Sequence, residues 1–206
     1  MARKTKILAF KGNWQEVVDD CRVTVDKPPL GKEPSDKFKR DMMVCEHTPI
    51  RRLSVSFIWE NLAYWVAMHL KTPTWYSVVT SQRDDRQNKY KRGKAPQDAP
   101  VTFTGETNAQ HLIDTSRKRL CYQASPETRE TWEDYKITVG EEVDEHIAWA
   151  MVPNCVYRCG CPEPHMCKEQ HFYKMLQKDP AIGSHNIQKR YDAFNKLFYQ
   201  MKGIEK

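Results

Sequence analysis

Ser81, Gln82 and Arg83 stand consecutively and offer a hydroxyl, an amide and a permanently charged guanidinium. Delivered together, these groups suit a phosphate-bearing or carbonyl-bearing ligand. Arg22-Val23-Thr24 offers a second cation and hydroxyl at the end of an expected helix; a plain helix terminus is the alternative reading. A third concentration of chemistry lies in PNCVYRCGCPEPHMC, where Cys155, Cys159, Cys161, His165 and Cys167 fall within thirteen residues. Thiolate and imidazole are the ligands zinc prefers, and four of them would close a tetrahedral site. The spacing C-x3-C-x-C-x3-H-x-C matches no established zinc pattern, so thiol chemistry and reduced cysteines in a tight loop stand beside metal binding. Between Asp84 and Pro100, the cations Arg86, Lys89, Lys91, Arg92 and Lys94 form either a mobile basic loop over an anionic substrate or a solvated loop. A nucleic-acid surface would interleave aromatics with these charges, and only Tyr90 is there, so the composition speaks against nucleic acid. Arg129 is read as a phosphate contact or as half of an ion pair, and His47, beside Thr48-Pro49, as a loop histidine.

The elements that must carry these groups follow from periodicity. Lys6 to Phe10 reads as a first strand. Asn13, with Glu16 three residues on, caps a helix over Trp14 to Arg22. After a loop rich in proline, Ser35 caps a helix to Cys45. Leu53, Val55, Phe57 and Trp59 alternate as a half-buried strand. Asn61 is expected to cap a helix reaching Lys71, where Pro73 stops it. Trp75 to Thr80, aromatic and β-branched, is extended. Residues 106 to 123 read as one helix, Glu127 to Ile137 as another behind Ser125-Pro126, and Glu141 to Val152 as a third, separated by Gly140. Lys168 to Gln177 can be helical. Asn186 opens a last helix whose Ile187, Tyr191, Phe194, Leu197, Phe198 and Met201 form one apolar stripe, to be covered by the domain or by a sister subunit.

The chain has 206 residues, 39% hydrophobic and 29% charged, with a formal net charge of +6. That is enough to bury a core in one domain, and the charge either favours anionic partners, nucleotides, folates or nucleic acid, or serves ordinary solubility. No apolar run approaches the length of a membrane span, and the basic N-terminus lacks the apolar stretch of a signal peptide. Together with an odd number of cysteines, seven, this places the expected location in the cytoplasm without a disulfide scaffold.

The order strand, helix, basic motif, seven residues, Ser resembles the flavin-dependent thymidylate synthases (ThyX). That family carries Arg-His-Arg, seven residues, then Ser, soon followed by Arg. Here Lys71-Thr72-Pro73 is followed after seven residues by Ser81, with Arg83 two further on. His47-Thr48-Pro49 is similar to the family's Glu-Thr-Pro, and Cys21-Arg22-Val23-Thr24 to its Ala-Arg-Val-Ser. The resemblance spans residues 10 to 175. It implies an α+β fold, a small, mostly antiparallel sheet flanked by several helices, over a catalytic domain of residues 1–180, with 181–206 as an appended helix. It implies transfer of a one-carbon unit from methylenetetrahydrofolate to C5 of a pyrimidine mononucleotide, dUMP or a relative such as dCMP or UMP. FAD, recharged by NADPH, would be the cofactor, the protein would be a methyltransferase of thymidylate synthase type, and its active sites would lie between subunits of a homotetramer. By position, Ser81, Gln82 and Arg83 would hold the nucleotide, and Thr24, Thr48 and Lys71 the flavin. Lys71 falls at the first signature Arg, whereas Thr72 and Pro73 replace the imidazole and the second guanidinium. Trp149 falls on a nucleotide-holding Arg of the family, and His165 and Cys167 fall on its Asn-x-Arg flavin segment. Two other readings use the same residues: a flavin-free enzyme performing hydroxymethyl transfer, with Cys121 or the late cysteines engaged, and a non-catalytic, zinc-stapled binding protein.

Overall fold

The computed structural model describes residues 5–71, 75–167 and 186–205. Four strands, β1 (Thr5–Lys11), β2 (Ser54–Ala63), β3 (Tyr76–Val79) and β4 (Pro100–Asn108), form one antiparallel sheet in the order β1-β2-β4-β3. Eight helices are seen among the described residues: α1 (Trp14–Val23), α2 (Asp36–Cys45), α3 (Tyr64–Leu70), α4 (Ala109–Arg119), α5 (Pro126–Glu142), α6 (Glu145–Ala150), the single turn α7 (Asn154–Tyr157) and α8 (Ile187–Met201). This is the α+β architecture expected from the sequence.

The caps form as their residue types dictate. Asn13 accepts from the Glu16 N–H at 2.9 Å, Ser35 from Phe38 at 3.3 Å and Asn186 from Lys189 at 3.1 Å. One face of the sheet is the core. Val55, Phe57 and Trp59 of β2 and Val101 and Phe103 of β4 are all but fully buried, against Trp75, Trp132 and Tyr135. The rings of Phe57 and Tyr135 stand 4.5 Å apart, and those of Trp59 and Phe103 5.2 Å. Each such side chain contributes on the order of 2 kcal/mol through the apolar surface it removes from water. Gly105 is fixed by this packing, because a Cβ there would lie 2.6 Å from the Phe57 ring.

Several boundaries differ from those read in the sequence. Asn61 does not cap a helix; it lies inside β2 with φ of 55°, where the register with β4 shifts between Trp59 and Leu62. The irregularity turns Leu62 back into the core, and Asn tolerates the left-handed conformation this needs. The helix begins only at Tyr64. Residues 106–108 belong to β4, not to a helix, and α4 starts after Asn108, whose side chain accepts from the His111 N–H at 3.0 Å. Gly140 lies within α5, which ends at Glu142; Asp144 then caps α6 through the Ile147 N–H at 2.9 Å. The segment Lys168 to Gln177 and the 180/181 boundary lie outside the described residues. Within the chain, Phe194 and Phe198 of α8 are fully buried, while Met201 stays 46% exposed.

Lys136 on α5 ties α8 into place. It is completely buried, and its ammonium donates to the carbonyl of Ala148 and to Asn195 Oδ1 at 2.7 Å. The rings of Phe194, Phe198 and Tyr199 lie within 5.3–5.7 Å of the charge.

Candidate active site

Thr24 and Thr48 come from different elements, the end of α1 and a 3₁₀ turn over Thr48–Arg52, and line one open cavity of about 520 Å³. Asp20, His47, Pro49, Arg51 and Arg52 complete its wall. The turn is a fixed base. Ile50 and Leu53 are fully buried on either side of the two arginines. Gly12 (φ +80°) packs so closely beneath that a Cβ there would sit 2.5 Å from the Arg52 carbonyl oxygen. The Arg52 guanidinium donates from Nε and Nη2 to the two oxygens of Asp20, which raises the Arg52 pKa. The Thr24 hydroxyl donates to the Cys21 carbonyl at 2.7 Å. Behind the wall, the Cys21 sulfur lies 3.8 Å from His47 Nδ1 and 3.7 Å from Met42 Sδ. Burial, then the neighbouring Cys45 and Asp20, push this thiol up, so the Cys–His contact is not that of an activated nucleophile.

Ser81, Gln82 and Arg83 follow β3 directly. Thr80 locks the chain to β4 just before them, its N–H donating to the Thr102 carbonyl at 2.9 Å and its hydroxyl accepting from the Thr102 N–H at 3.0 Å. Ser81 and Arg83 are exposed. The Arg83 N–H donates to Ser81 Oγ at 3.2 Å, and its guanidinium forms a two-pronged pair with Asp85 at 2.9 and 2.7 Å. The basic segment beyond is organised by its own acids and amides: Asp84 accepts from the Arg92 N–H at 2.6 Å, and Gln87 accepts from the N–H groups of Lys89 and Tyr90.

The sheet keeps these two groups of residues apart. β2 starts at Ser54, just after the Thr48–Arg52 turn, and β3 starts beside that end, with Tyr76 opposite Glu106 and Glu106 opposite Ser56. Ser81 lies five residues further along, a rise of about 17 Å for an extended chain. Lys71 ends α3 exposed, its N–H donating to Ala67 at 2.8 Å; residues 72–74 lie outside the description.

The late cysteines are regrouped. Cys155, Cys161 and Cys167 line a small apolar cavity with Cys121, Leu120, Tyr122, Pro153 and Pro162, while Cys159 and His165 point to the surface side. Gln123 holds the loop by donating to the His165 carbonyl at 2.9 Å. Burial, with smaller contributions from Cys121 and Cys161, pushes the Cys155 thiol up to about 12. Among the described residues, no three His, Cys, Asp or Glu side chains are arranged to hold a metal ion; of the expected zinc set, Cys155, Cys161 and Cys167 share the cavity, and Cys159 and His165 lie outside it. Trp149 is 8% exposed and donates from Nε1 to Asp192 at 2.8 Å, a packing role. Arg129 pairs with Glu133 at 3.4 Å and lies over the Tyr122 ring, as the ion-pair reading has it. Sequence reasoning passed over Arg51, Arg52 and Asp20; the signal available was a double arginine two residues past Thr48-Pro49.

The fold is similar to solved structures of three crystals. One is the flavin-dependent thymidylate synthase ThyX from Helicobacter pylori complexed with FAD and dUMP, with a TM-score of 0.57, 9% identity and coverage of 70% of this chain and 97% of that one. A second structure of thymidylate synthase X from Helicobacter pylori with FAD and dUMP gives 0.58, 9%, 71% and 98%. The UMP/dUMP methylase PolB from Streptomyces cacaoi bound with 5-Br dUMP gives 0.54, 14%, 72% and 94%. At these identities the likeness establishes a shared ThyX-like fold. No family model and no curated protein matches the sequence.

Proposed function

We propose that this protein transfers a one-carbon unit from methylenetetrahydrofolate to C5 of a pyrimidine mononucleotide, dUMP first among them, with FAD as cofactor and NADPH as its reductant. The carrying observation is that Thr24 and Thr48, distant in sequence, line one cavity on a fold whose solved examples hold FAD and dUMP. The cavity offers the phosphate end of a flavin dinucleotide hydroxyl and guanidinium donors, set in a wall that is otherwise mostly apolar. When bound, the reduced flavin supplies hydride to the transferred carbon. The chain's part is binding and orientation. Ser81, Gln82 and Arg83 hold the phosphate and sugar side of the nucleotide, and Thr48 contacts the flavin cofactor.

The separation of the two residue groups along β3 supports a site completed by a second copy of the chain. Leu8, Tyr76 and Val78 are 57%, 69% and 49% exposed on the two edge strands, and their burial against another copy would remove apolar surface from water. A homotetramer is the assembly proposed from the resemblance.

The test is direct. Purified protein incubated with FAD, methylenetetrahydrofolate, NADPH and each of dUMP, UMP and dCMP is followed by mass spectrometry of the nucleotide. A methylated pyrimidine is expected with dUMP. A protein that takes up no flavin, yet adds a hydroxymethyl group, would replace this reading with the flavin-free one.

A further inference from the structure

We infer that Arg51 is the anion-gripping residue of the cavity between α1 and the Thr48–Arg52 turn, and that it, and not Thr24, holds the diphosphate of the bound dinucleotide. The dinucleotide identity rests on the flavin reading above; the anion site stands on the cavity alone.

The argument is an inventory of protons. A phosphate oxygen needs donors, and the groups lining this cavity differ in what they have left to give. Thr24 has one hydroxyl proton, and it is committed to the Cys21 carbonyl at 2.7 Å. Arg52 is clamped in two-pronged fashion to Asp20, which neutralises most of its field and also occupies the one carboxylate of the wall. His47 has its Nδ1 facing the Cys21 sulfur at 3.8 Å. Arg51 is exposed at the cavity wall, and no hydrogen bond or ion pair engages its guanidinium among the described residues. With Asp20 answered by Arg52, Arg51 is the uncompensated charge of the cavity. Its planar fork of five N–H donors matches two phosphate oxygens at once.

The backbone that carries Arg51 is also fixed in advance. The turn under it is held by buried Ile50 and Leu53, by the Leu53 N–H donating to Ile50 at 3.1 Å, and by the Ala109 N–H donating to Leu53 at 2.8 Å. Gly12 closes the underside. Little backbone order remains to be gained on binding, so the charge is free to act as binding energy.

The experiment titrates inorganic pyrophosphate and FAD separately into the full chain by calorimetry. The proteins compared are wild type, Arg51→Ala, Arg51→Lys and Thr24→Val, each checked for an unchanged thermal melt. Arg51→Ala is expected to weaken both ligands by about tenfold or more, the range for a hydrogen bond to a charged group. Arg51→Lys should recover part of the loss, and Thr24→Val should stay within about twofold of wild type, as expected for a group whose proton is already committed. Riboflavin, which lacks phosphate, should bind all four alike. If FAD binds and Arg51→Ala leaves it unchanged, or if Thr24→Val costs more than Arg51→Ala, the inference is wrong and the flavin reading survives. If pyrophosphate binds in an Arg51-dependent way and FAD does not bind, the anion site stands and the flavin reading fails. Wild-type protein that binds neither ligand overturns both.

Discussion

Arg83 and Asp85 should move nucleotide affinity in opposite directions. The Arg83 guanidinium is bound through two N–H groups to Asp85, with side chains 60% and 56% exposed. A pair so open to water is worth only about 0.2–1 kcal/mol. A nucleotide phosphate that takes the guanidinium over must first break this pair, then forms charge-assisted hydrogen bonds worth about 1.5–3 kcal/mol. Arg83→Ala should therefore weaken dUMP binding by the difference, about 0.5–2.8 kcal/mol or roughly 2-fold to 110-fold, whereas Asp85→Ala should tighten it by about 1.4-fold to 5-fold, the pair energy converted at RT. Raising salt should shrink both effects, because the groups are exposed. Calorimetric titration of dUMP into the two variants and wild type decides the matter. Weaker binding in Asp85→Ala would mean that Asp85 orients Arg83 for the ligand and does not compete with it. No change in Arg83→Ala would remove the segment after β3 from the nucleotide site altogether.

Other expectations concern the scaffold and its thiols. Gly105→Ala places a methyl 2.6 Å from the Phe57 ring and should destabilise the fold by about 1–3 kcal/mol in denaturant titrations. Asn195→Ala removes a hydrogen-bond partner of the buried Lys136 ammonium and the donor to the Trp149 and Tyr191 carbonyls. Its cost should be about 3 kcal/mol, read as a lower denaturation midpoint. Native protein treated with maleimide at pH 8 should label the exposed Cys45 and Cys159 first and spare Cys155, as mass mapping of the labelled peptides will show. The same thiol makes stability fall with alkalinity. Folded Cys155 keeps its proton up to about 12, while the unfolded thiol loses it near 8.5. Between those values the native state binds more protons, so stability is full below about pH 8.5 and falls above it by at most about 1.4 kcal/mol per pH unit. Cys155→Ser should flatten that slope in melts run from neutral to alkaline pH.

Local signals carried most of the helices, because caps are written in adjacent residues: Asn13 with Glu16, Ser35 and Asn186 behave as their side chains require. What failed was decided at a distance. β4 has a legible alternation, Val101, Phe103, Gly105 and Thr107 facing inward, yet its outer positions Thr102, Thr104 and Glu106 are polar and merge with the loop before it. Its central place in the sheet comes from pairing with β2 and β3, which no window of ten residues contains. Gly140 was read as a break on propensity, about 1 kcal/mol against helix, and α5 passes through it because the buried Thr131, Trp132, Tyr135 and Val139 face commits the helix to the core. The site divides in the same way. Thr24 and Thr48 were picked by resemblance, and only the packing of α1 on the Thr48–Arg52 turn puts them on one wall. Cys121 joins Cys155, Cys161 and Cys167 from more than thirty residues away, so no spacing rule within the late segment could include it.

The geometry also constrains how the proposed chemistry can be housed. Hydride transfer requires cofactor and nucleotide in contact. On one chain, the cavity of Thr24, Thr48 and Arg51 opens at the β2 start, and Ser81 and Arg83 lie past the far end of β3. β3 is rigid, paired along its whole length with β4, and Thr80 extends that pairing to the residue before Ser81. No hinge in the strand can bring the two groups together. Either a long cofactor bridges them across the open face of the sheet, or one chain's strand end meets another chain's cavity. The second arrangement also covers Tyr76 and Val78, which the first leaves in water. Mixing Arg51→Ala chains with Arg83→Ala chains separates the two. Sites shared between copies regain part of the activity, because some combine an intact cavity with an intact strand end. Sites contained in one chain regain none.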